Sequence, residues 1–120
     1  MIINLTQHNP TLEQIEVGVT ATIIGMSELL TFNTIPTQDD IDSRVCDILV
    51  SLTTVYGDAP KGTQVMIGGA PFLMAKLEDA LIRHNYVPVY SFSQRVSVES
   101  TNADGVVVKV NQFKHVGFVI

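Results

Sequence analysis

The sequence predicts an α/β fold: a Rossmann-like three-layer domain with a mainly parallel sheet and a C-terminal antiparallel hairpin. Three observations lead to this class. Short apolar runs rich in β-branched residues alternate with helical patterns through residues 1–92. Residues 64–92 are typical of strand, helix and strand, a βαβ unit whose crossover is right-handed in nearly all proteins. The last third alternates apolar and polar residues on both sides of a turn signal, as a hairpin does.

Length and composition limit the class of protein further. The 120 residues are 46% hydrophobic, which is enough for one domain spanning residues 1–120 with its own core. A formal net charge of −5 argues against extended binding to duplex nucleic acid, which needs a basic face. The single cysteine, Cys46, cannot form an internal disulfide. No apolar run has the length of a membrane span, and the first residues lack the basic-then-apolar pattern of a secretory signal. We therefore expect a cytoplasmic protein with no membrane partner.

The N-terminal residues predict a strand, a polar loop and a capped helix. Four of the first five residues are apolar, and the next five interrupt them with polar side chains and a proline. Thr11 can cap a helix because Glu13 and Gln14 lie in its first turn. Between residues 19 and 32, β-branched and helical signals conflict, so no element is assigned there.

The clearest helix begins at Thr37. Thr37 and Asp40 form a start that resembles a capping box. Asp39 and Asp42 add negative charge where the helix dipole favours it. The apolar stripe of this helix comprises Ile41, Val45, Ile48, Leu49, Leu52 and Val55. Turn residues at 57–62 end the helix.

Residues 64–77 predict a buried strand, a tight glycine turn and the start of a helix. Gly68 and Gly69 follow an apolar run and can take backbone angles that a Cβ forbids. Pro71 suits the first helical turn, where its missing N–H is not needed. The free N–H groups of that turn would favour a phosphate or a carboxylate. Tight packing between strand and helix is the alternative explanation for the two glycines.

The last third predicts strands only. A strand is expected at 86–92 and a hairpin of 95–99 with 106–110 around a turn at 102–105. Residues 113–120 alternate again and predict a final strand. The apolar character of this hairpin makes it a candidate for self-association.

Ligand chemistry is expected where the three parallel strands end, because ligands of open α/β sheets bind beyond the carboxyl ends of the strands. If the strands are adjacent, one crevice holds hydroxyl, amide, imidazole and guanidinium groups, a set that suits a ligand with a phosphate and a base. We expect Arg95 to supply charge and the glycine turn to hold phosphate oxygens. Gln7 and Asn9 would contact base edges. The predicted ligand-binding residues are Thr6, Gln7, His8, Asn9, Gly68, Gly69, Ala70, Ser91, Ser93, Gln94 and Arg95.

Several of these residues also have a purely structural interpretation. His8 can cap the next helix, and Arg95 can pair with Glu99. The two serines can satisfy nearby backbone groups. His115 is typical of a solvated strand residue.

Known catalytic and metal-binding motifs do not occur in the sequence. There is no G-x-S-x-G nucleophile elbow, no G-x-x-x-x-G-K phosphate loop and no paired-histidine metal spacing. We therefore predict no metal and no cofactor.

The segment from Asn4 to Gln14, Asn-Leu-Thr-Gln-His-Asn-Pro-Thr-Leu-Glu-Gln, resembles the start of small CRISPR-associated Rossmann-fold (CARF-like) proteins. Those proteins begin with a similar strand, an Asn/His loop and a Leu-Thr-x-Glu-Gln helix start. The resemblance covers about the first fifteen residues and the strand-to-helix scheme around Gly68 and Gly69. It implies that a homodimer or higher homo-oligomer recognises a cyclic oligonucleotide or a related nucleotide second messenger.

Some members of that family, the ring nucleases, cleave the ligand without a metal. Cleavage would use the 2′-hydroxyl of the ligand as the nucleophile, with the protein enforcing in-line geometry. The resemblance then implies that His8 is the acid or a positioning group. Gly68 and Gly69 would hold phosphate, and Arg95 would neutralise charge.

The sequence therefore leads to three hypotheses, and whether the protein is an enzyme stays open. The first is a protein that sequesters a small anionic nucleotide second messenger such as a cyclic oligonucleotide, in phage–host defence. The second is a metal-independent phosphodiesterase that cleaves the same ligand. The third is a protein-interaction module that oligomerises through its C-terminal hairpin and has no small-molecule ligand.

Overall fold

Helices and strands alternate along most of the chain, and a long hairpin ends it. The computed structural model describes the backbone of residues 1–120 and every side chain except that of Phe113. The elements are β1 (Ile2–Leu5), α1 (Leu12–Glu16), α2 (Met26–Leu29), α3 (Gln38–Tyr56), β2 (Gln64–Ile67), α4 (Pro71–Arg83), β3 (Val87–Thr101) and β4 (Val107–Val119). None of the helices in the described part of the chain is long and apolar enough to cross a lipid bilayer.

The sheet is mixed and open, with the strand order β1-β2-β3-β4. β1 pairs with β2 and β2 pairs with β3 in parallel, whereas β3 and β4 are antiparallel. An isolated parallel bridge between Ile2 and Val19 lies outside these strands. The α/β class, the mainly parallel pairing and the C-terminal antiparallel hairpin are confirmed. The parallel order also brings the carboxyl ends of β1 and β2 to one edge, and β3 passes this edge and continues beyond it.

The two faces of the sheet bury different amounts of apolar surface. Side chains alternate across a strand, so Ile3 and Ile67 point to the face on which α2, α3 and α4 pack, in the larger core cluster. Ile2, Met66 and Val89 point to the opposite face and form a smaller cluster with Val19. Each fully buried aliphatic side chain stabilises the fold by about 1.5–3 kcal/mol. The helix-covered face therefore carries most of the core.

Local signals predict the helix starts correctly. Thr11 and Gln14 form a capping box at α1, and Thr37 and Asp40 form another at α3. In α3, the stripe residues Ile41, Val45, Ile48 and Leu52 are buried. Val55, predicted on the same stripe, is 56% exposed, and its neighbour Tyr56 packs against the core in the last turn instead.

The unassigned stretch between residues 19 and 32 contains one short helix. Gly25 precedes α2 with φ +84°, a left-handed conformation that glycine adopts without strain. The guanidinium of Arg44 donates to the carbonyls of Leu29 and Thr31, at 2.9 and 2.7 Å, and lies over the ring of Phe32. Contacts with α3 therefore hold this four-residue helix, which explains why local signals alone leave it unassigned.

The predicted boundaries of the C-terminal strands are wrong. The strands expected at 86–92 and 95–99 are one strand, β3, and those expected at 106–110 and 113–120 are one strand, β4. An irregularity in the pairing between Phe92 and Ser93 takes the place of the expected break. Residues with weak local strand propensity stay in β3 because β4 pairs with them along its whole length. The predicted turn at 102–105 is confirmed, with Gly105 at φ +78°.

The hairpin extends well beyond the core. The pairing of β2 with β3 ends at Met66 and Val89, so the rest of the described β3 backbone is paired with β4 alone. We call residues 93–115 the hairpin arm. The radius of gyration is 17.1 Å, whereas a compact chain of this length has about 14 Å. The arm accounts for this elongation.

Candidate ligand-binding cleft

A cleft of about 470 Å³ lies at the edge of the sheet where β1 and β2 end, beside Tyr90 and Ser91 of β3. Its walls are the loop after β1, the start of α1, the glycine turn after β2 and these two residues of β3. The lining residues are Thr6, Gln7, His8, Asn9, Thr11, Gln14, Met66, Ile67, Gly68, Gly69, Tyr90 and Ser91. This is the position at which open α/β sheets bind ligands.

Asn4 shapes the first wall of the cleft. Its side chain is fully buried, and Oδ1 accepts hydrogen bonds from the Thr6 backbone N–H at 3.0 Å and the Thr6 hydroxyl at 2.7 Å. Its Nδ2 donates to the carbonyl oxygen of His8 at 3.0 Å. A buried amide must find such partners, and here they fix the backbone of the loop. The loop therefore presents the side chains of Gln7 and His8 on a fixed backbone.

The glycine turn forms the second wall. Gly69 has φ +154°, and a Cβ there would lie 3.4 Å from Cε of Met74. At Gly68 a Cβ would meet only the methyl group of Thr6, at the ordinary contact distance of 3.9 Å. Backbone geometry therefore requires glycine at position 69 and not at position 68. Pro71 occupies the first turn of α4, as predicted.

A chain of hydrogen bonds forms the third wall. The Gln14 side chain accepts from the Thr11 backbone N–H through Oε1, at 3.0 Å, and donates through Nε2 to the hydroxyl of Ser91, at 3.2 Å. The Ser91 hydroxyl lies 2.8 Å from Nδ1 of His115, whose ring packs at 4.8 Å on that of Phe118. Since the hydroxyl accepts from Gln14, it can donate to Nδ1 when that nitrogen carries no proton. One polar chain thus joins α1, β3 and β4.

Tyr90 connects the cleft with the helices. Burial raises the pKa of its phenol, and the neighbouring carboxylate of Glu78 raises it further through its charge and a hydrogen bond. The neutral phenol is thereby favoured, and it anchors β3 to α4.

Charge is scarce in the cleft. The described lining contains no lysine, arginine, aspartate or glutamate, and His8 is its one basic side chain. Among the side chains that the structure describes, no group of three histidine, cysteine, aspartate or glutamate residues converges as metal ligands. The cleft therefore offers hydroxyl, amide and imidazole groups above an apolar floor of Met66 and Ile67.

Most of the residues predicted for the site converge at this cleft. Seven of them line it: Thr6, Gln7, His8, Asn9, Gly68, Gly69 and Ser91. Ala70, Ser93, Gln94 and Arg95 are not among the described lining residues. Ala70 is instead the N-cap of α4, and its carbonyl accepts from the Leu73 and Met74 backbone N–H groups.

The expectation that Ser93, Gln94 and Arg95 follow the end of a strand is wrong. β3 continues to Thr101, so these residues belong to the hairpin arm. At about 3.3 Å per residue, Arg95 lies roughly 13 Å along the strand from Ser91. The backbone of Arg95 therefore lies beyond the cleft, and Arg95 is not among the described residues that line it.

Sequence reasoning missed several residues that build the cleft. Asn4 carried a signal, since it is a polar residue inside an apolar strand, where only a hydrogen-bonded amide is tolerated. Gln14 was predicted only as part of a helix start. Its bond to Ser91 joins residues 77 positions apart, which no local pattern reveals. The same holds for His115, which the pairing of β3 with β4 brings to Ser91.

The fold and the cleft together define a small α/β protein with a candidate ligand-binding cleft at the edge of a mixed sheet. One family model matches residues 1–119 of the chain. The chain belongs to this family, which is described as the uncharacterized protein MJ1673 family. The match includes the hairpin arm as well as the cleft. No curated protein and no solved structure matches the chain.

Proposed function

We propose that this protein binds a small nucleotide-type ligand, such as a nucleotide second messenger, in the cleft at the carboxyl edge of its sheet. The observation that carries the proposal is the convergence of the β1 loop, the glycine turn and Ser91 around one cleft of about 470 Å³. The binding mode is that of a Rossmann-like three-layer domain, in which ligands lie beyond the strand ends. We place this binding in the cytoplasm, where nucleotide signals act.

The chemistry of the lining supports a ligand that contains a nucleoside. The amides of Gln7 and Asn9 can both donate and accept, as the edges of a base require. The side-chain oxygen Oδ1 of Asn9 accepts a hydrogen bond from the Thr22 hydroxyl at 3.2 Å, which leaves the side-chain nitrogen Nδ2 of Asn9 to donate to the ligand. The apolar floor of Met66 and Ile67 suits the face of a base.

The phosphate is assigned to the glycine turn. Gly68 and Gly69 both line the cleft and carry no side chain, so an anion can approach the main chain closely. The N-terminus of the thirteen-residue helix α4 follows directly and contributes the positive end of its dipole. In contrast to the sequence hypothesis, this assignment does not require Arg95.

The size of the cleft sets the size of the ligand portion that it holds. Small-molecule sites span about 300–1,000 Å³, and this cleft lies in the lower part of that range. We therefore expect one nucleotide unit per cleft. A cyclic oligonucleotide would be sequestered by clefts of two or more copies, which is the homo-oligomer of the sequence hypothesis and would serve phage–host defence.

A metal-independent phosphodiesterase is the second candidate, favoured by the placement of His8. This imidazole is exposed and lies on the cleft wall, on a loop that Asn4 fixes. In this candidate the 2′-hydroxyl of the ligand attacks the phosphorus in line, and His8 protonates or positions the leaving oxygen.

One experiment separates the candidates. Purified protein is incubated with a panel of mononucleotides, cyclic dinucleotides and cyclic oligonucleotides, and the bound material is recovered after denaturation and separated by chromatography. Intact ligand supports capture, and a linear product that disappears in His8→Ala supports cleavage. Recovery of no ligand from the whole panel contradicts both candidates.

Substitution of Ser91 tests the position of the ligand. Ser91→Ala removes one hydroxyl from the cleft, so the affinity for a captured ligand should fall by about 0.5–1.5 kcal/mol, or roughly two- to tenfold. Isothermal titration calorimetry measures this change. Ser97→Ala on the hairpin arm is the matched control and should leave the affinity unchanged. Arg95→Ala should also leave it unchanged, and a loss there would restore Arg95 to the site.

A further inference from the structure

One face of the hairpin arm carries four valines, which are flanked by Gln94, Ser100, Gln112 and Lys114. The cross-strand pairs Val98 with Val110, Val96 with Gln112 and Ser100 with Val108 share a face. We call Val96, Val98, Val108 and Val110 the valine strip. Val108 is 36% exposed and Val110 is 42% exposed, while the two valines of β3 are half-buried. Phe92, on the same face at the base of the arm, is 50% exposed.

The opposite face of the arm carries polar and charged side chains. Glu99 pairs with Lys109 and Ser97 pairs with Asn111 across the strands. Ser91 and His115, which belong to the cleft, also point to this side. The valine strip is therefore an exposed apolar surface that extends from the helix-covered face of the sheet, away from the ligand cleft.

We propose that the valine strip packs against the same strip of a second copy of this chain, with the two arms antiparallel and related by a two-fold axis. A two-fold contact uses the same surface on both partners, so that surface must be complementary to itself. The strip satisfies this requirement, because valine packs on valine and the strip itself carries no charge. A net charge of −5 on each chain disfavours close approach elsewhere.

The charges at the ends of the arm favour the antiparallel orientation. On the strip face, Lys114 lies at the base of the arm, four residues or about 13 Å from Val110. Asp104 lies in the turn at the tip, at a similar distance on the other side of Val110. When two arms stack antiparallel, Lys114 meets the partner's Asp104 at both ends. Parallel stacking would place Lys114 next to Lys114 of the partner subunit and Asp104 next to the partner's Asp104, so that like charges repel.

The area available predicts a weak dimer. The strip face is about 23 Å long and two strands, or about 10 Å, wide, which is about 230 Å² in projection. Standard interfaces bury about 800 Å² on each partner, so this face is well below that size even with Phe92 included, and the contact is a weak, transient one. The dimer should therefore dissociate on dilution in the micromolar range. Dimerisation does not depend on the ligand proposal, since the cleft lies on the other side of the arm.

Sedimentation equilibrium of the full chain tests the dimer. The wild-type protein should sediment with twice the monomer mass of 13.1 kDa at tens of micromolar and dissociate on dilution. Val110→Asp buries a charge in the interface and should weaken the dimer at least about tenfold. Asn111→Asp adds the same charge one residue away on the opposite face and should leave the dimer intact. Circular dichroism confirms that both variants are folded.

A charge exchange tests the orientation and does not depend on the valine variants. Lys114→Asp and Asp104→Lys should each weaken the dimer, and the double variant should restore it. A wild-type protein that stays monomeric at hundreds of micromolar overturns the proposal, as does equal loss in Val110→Asp and Asn111→Asp. A dimer that persists in Val110→Asp also overturns it and assigns the contact to another surface.

Discussion

Asn4 shows how a single buried side chain can fix the backbone of a loop, here residues 6–8 after β1. Its amide bonds to three backbone or hydroxyl groups of the loop that follows β1. Longer hydrogen bonds of 3.3 Å between the Thr6 hydroxyl and the His8 backbone complete this network. In the sequence, this asparagine is a single polar residue within an apolar strand. Only the structure shows which groups of the loop it bonds to.

Asn4→Leu should therefore destabilise the protein and the cleft together. The change keeps the side-chain volume approximately, removes the partner of the Thr6 N–H and leaves the His8 carbonyl with only the 3.3 Å bond from the Thr6 hydroxyl. We expect a loss of about 1–3 kcal/mol in the free energy of unfolding, measured by urea denaturation. Asn33→Leu, at an exposed loop position, is the control. A stability equal to that of the wild type would show that the loop does not depend on Asn4.

The two adjacent glycines of the turn should respond differently to alanine. Gly69→Ala forces a side chain into φ +154° and against Met74, at a cost of about 1–3 kcal/mol. Gly68→Ala meets only ordinary contacts and should change the unfolding free energy by less than about 0.5 kcal/mol. Thermal unfolding of the two variants compares them. Equal effects would contradict the backbone geometry of the turn.

Among the elements, those specified by local chemistry were predicted best. The capping box at Thr37 is a pattern of four residues, and it correctly marks the start of α3. The extent of β3 was not predictable in this way. Ser93 and Gln94 have low strand propensity, so the sequence predicts a loop there. In the structure they lie in β3, where Ser93 pairs with His115 and Gln94 with Lys114, twenty or more residues later in the chain. The position of Arg95 was wrong for the same reason.

The capping box of α3 predicts a pH dependence of stability. The hydrogen bond from the Thr37 backbone, and then that with its side chain, lower the pKa of Asp40 below its usual 3.8. A group with a lowered pKa in the folded state stabilises the protein above its unfolded pKa, and this contribution is lost as the pH falls through the folded pKa. Asp40→Asn should therefore flatten the loss of stability below about pH 4. Urea denaturation between about pH 5 and 2 measures this change, and Asp58→Asn is the control.

At the scale of the whole molecule, the order of the parallel strands decides whether a binding site exists. The sequence predicted that loops near His8 and Gly69 would meet, and the adjacent β1 and β2 bring both to one cleft. It placed Arg95 there as well, but β3 continues through this residue, which is not among the described lining residues. The described lining of the cleft carries little charge, which is consistent with the proposed nucleotide ligand. The hairpin arm continues β3 past the same edge of the sheet, with the valine strip on the face opposite to Ser91.

The most direct test of the proposed site is an amide-resolved NMR titration of the full chain with the ligand captured from the nucleotide panel. We expect saturable shifts at the amides of residues 6–9, Gly68, Gly69 and Ser91, with Arg95 and the tip of the hairpin arm unchanged. Saturable shifts confined to the arm or to the face of α3, with the cleft amides unchanged, would contradict the site.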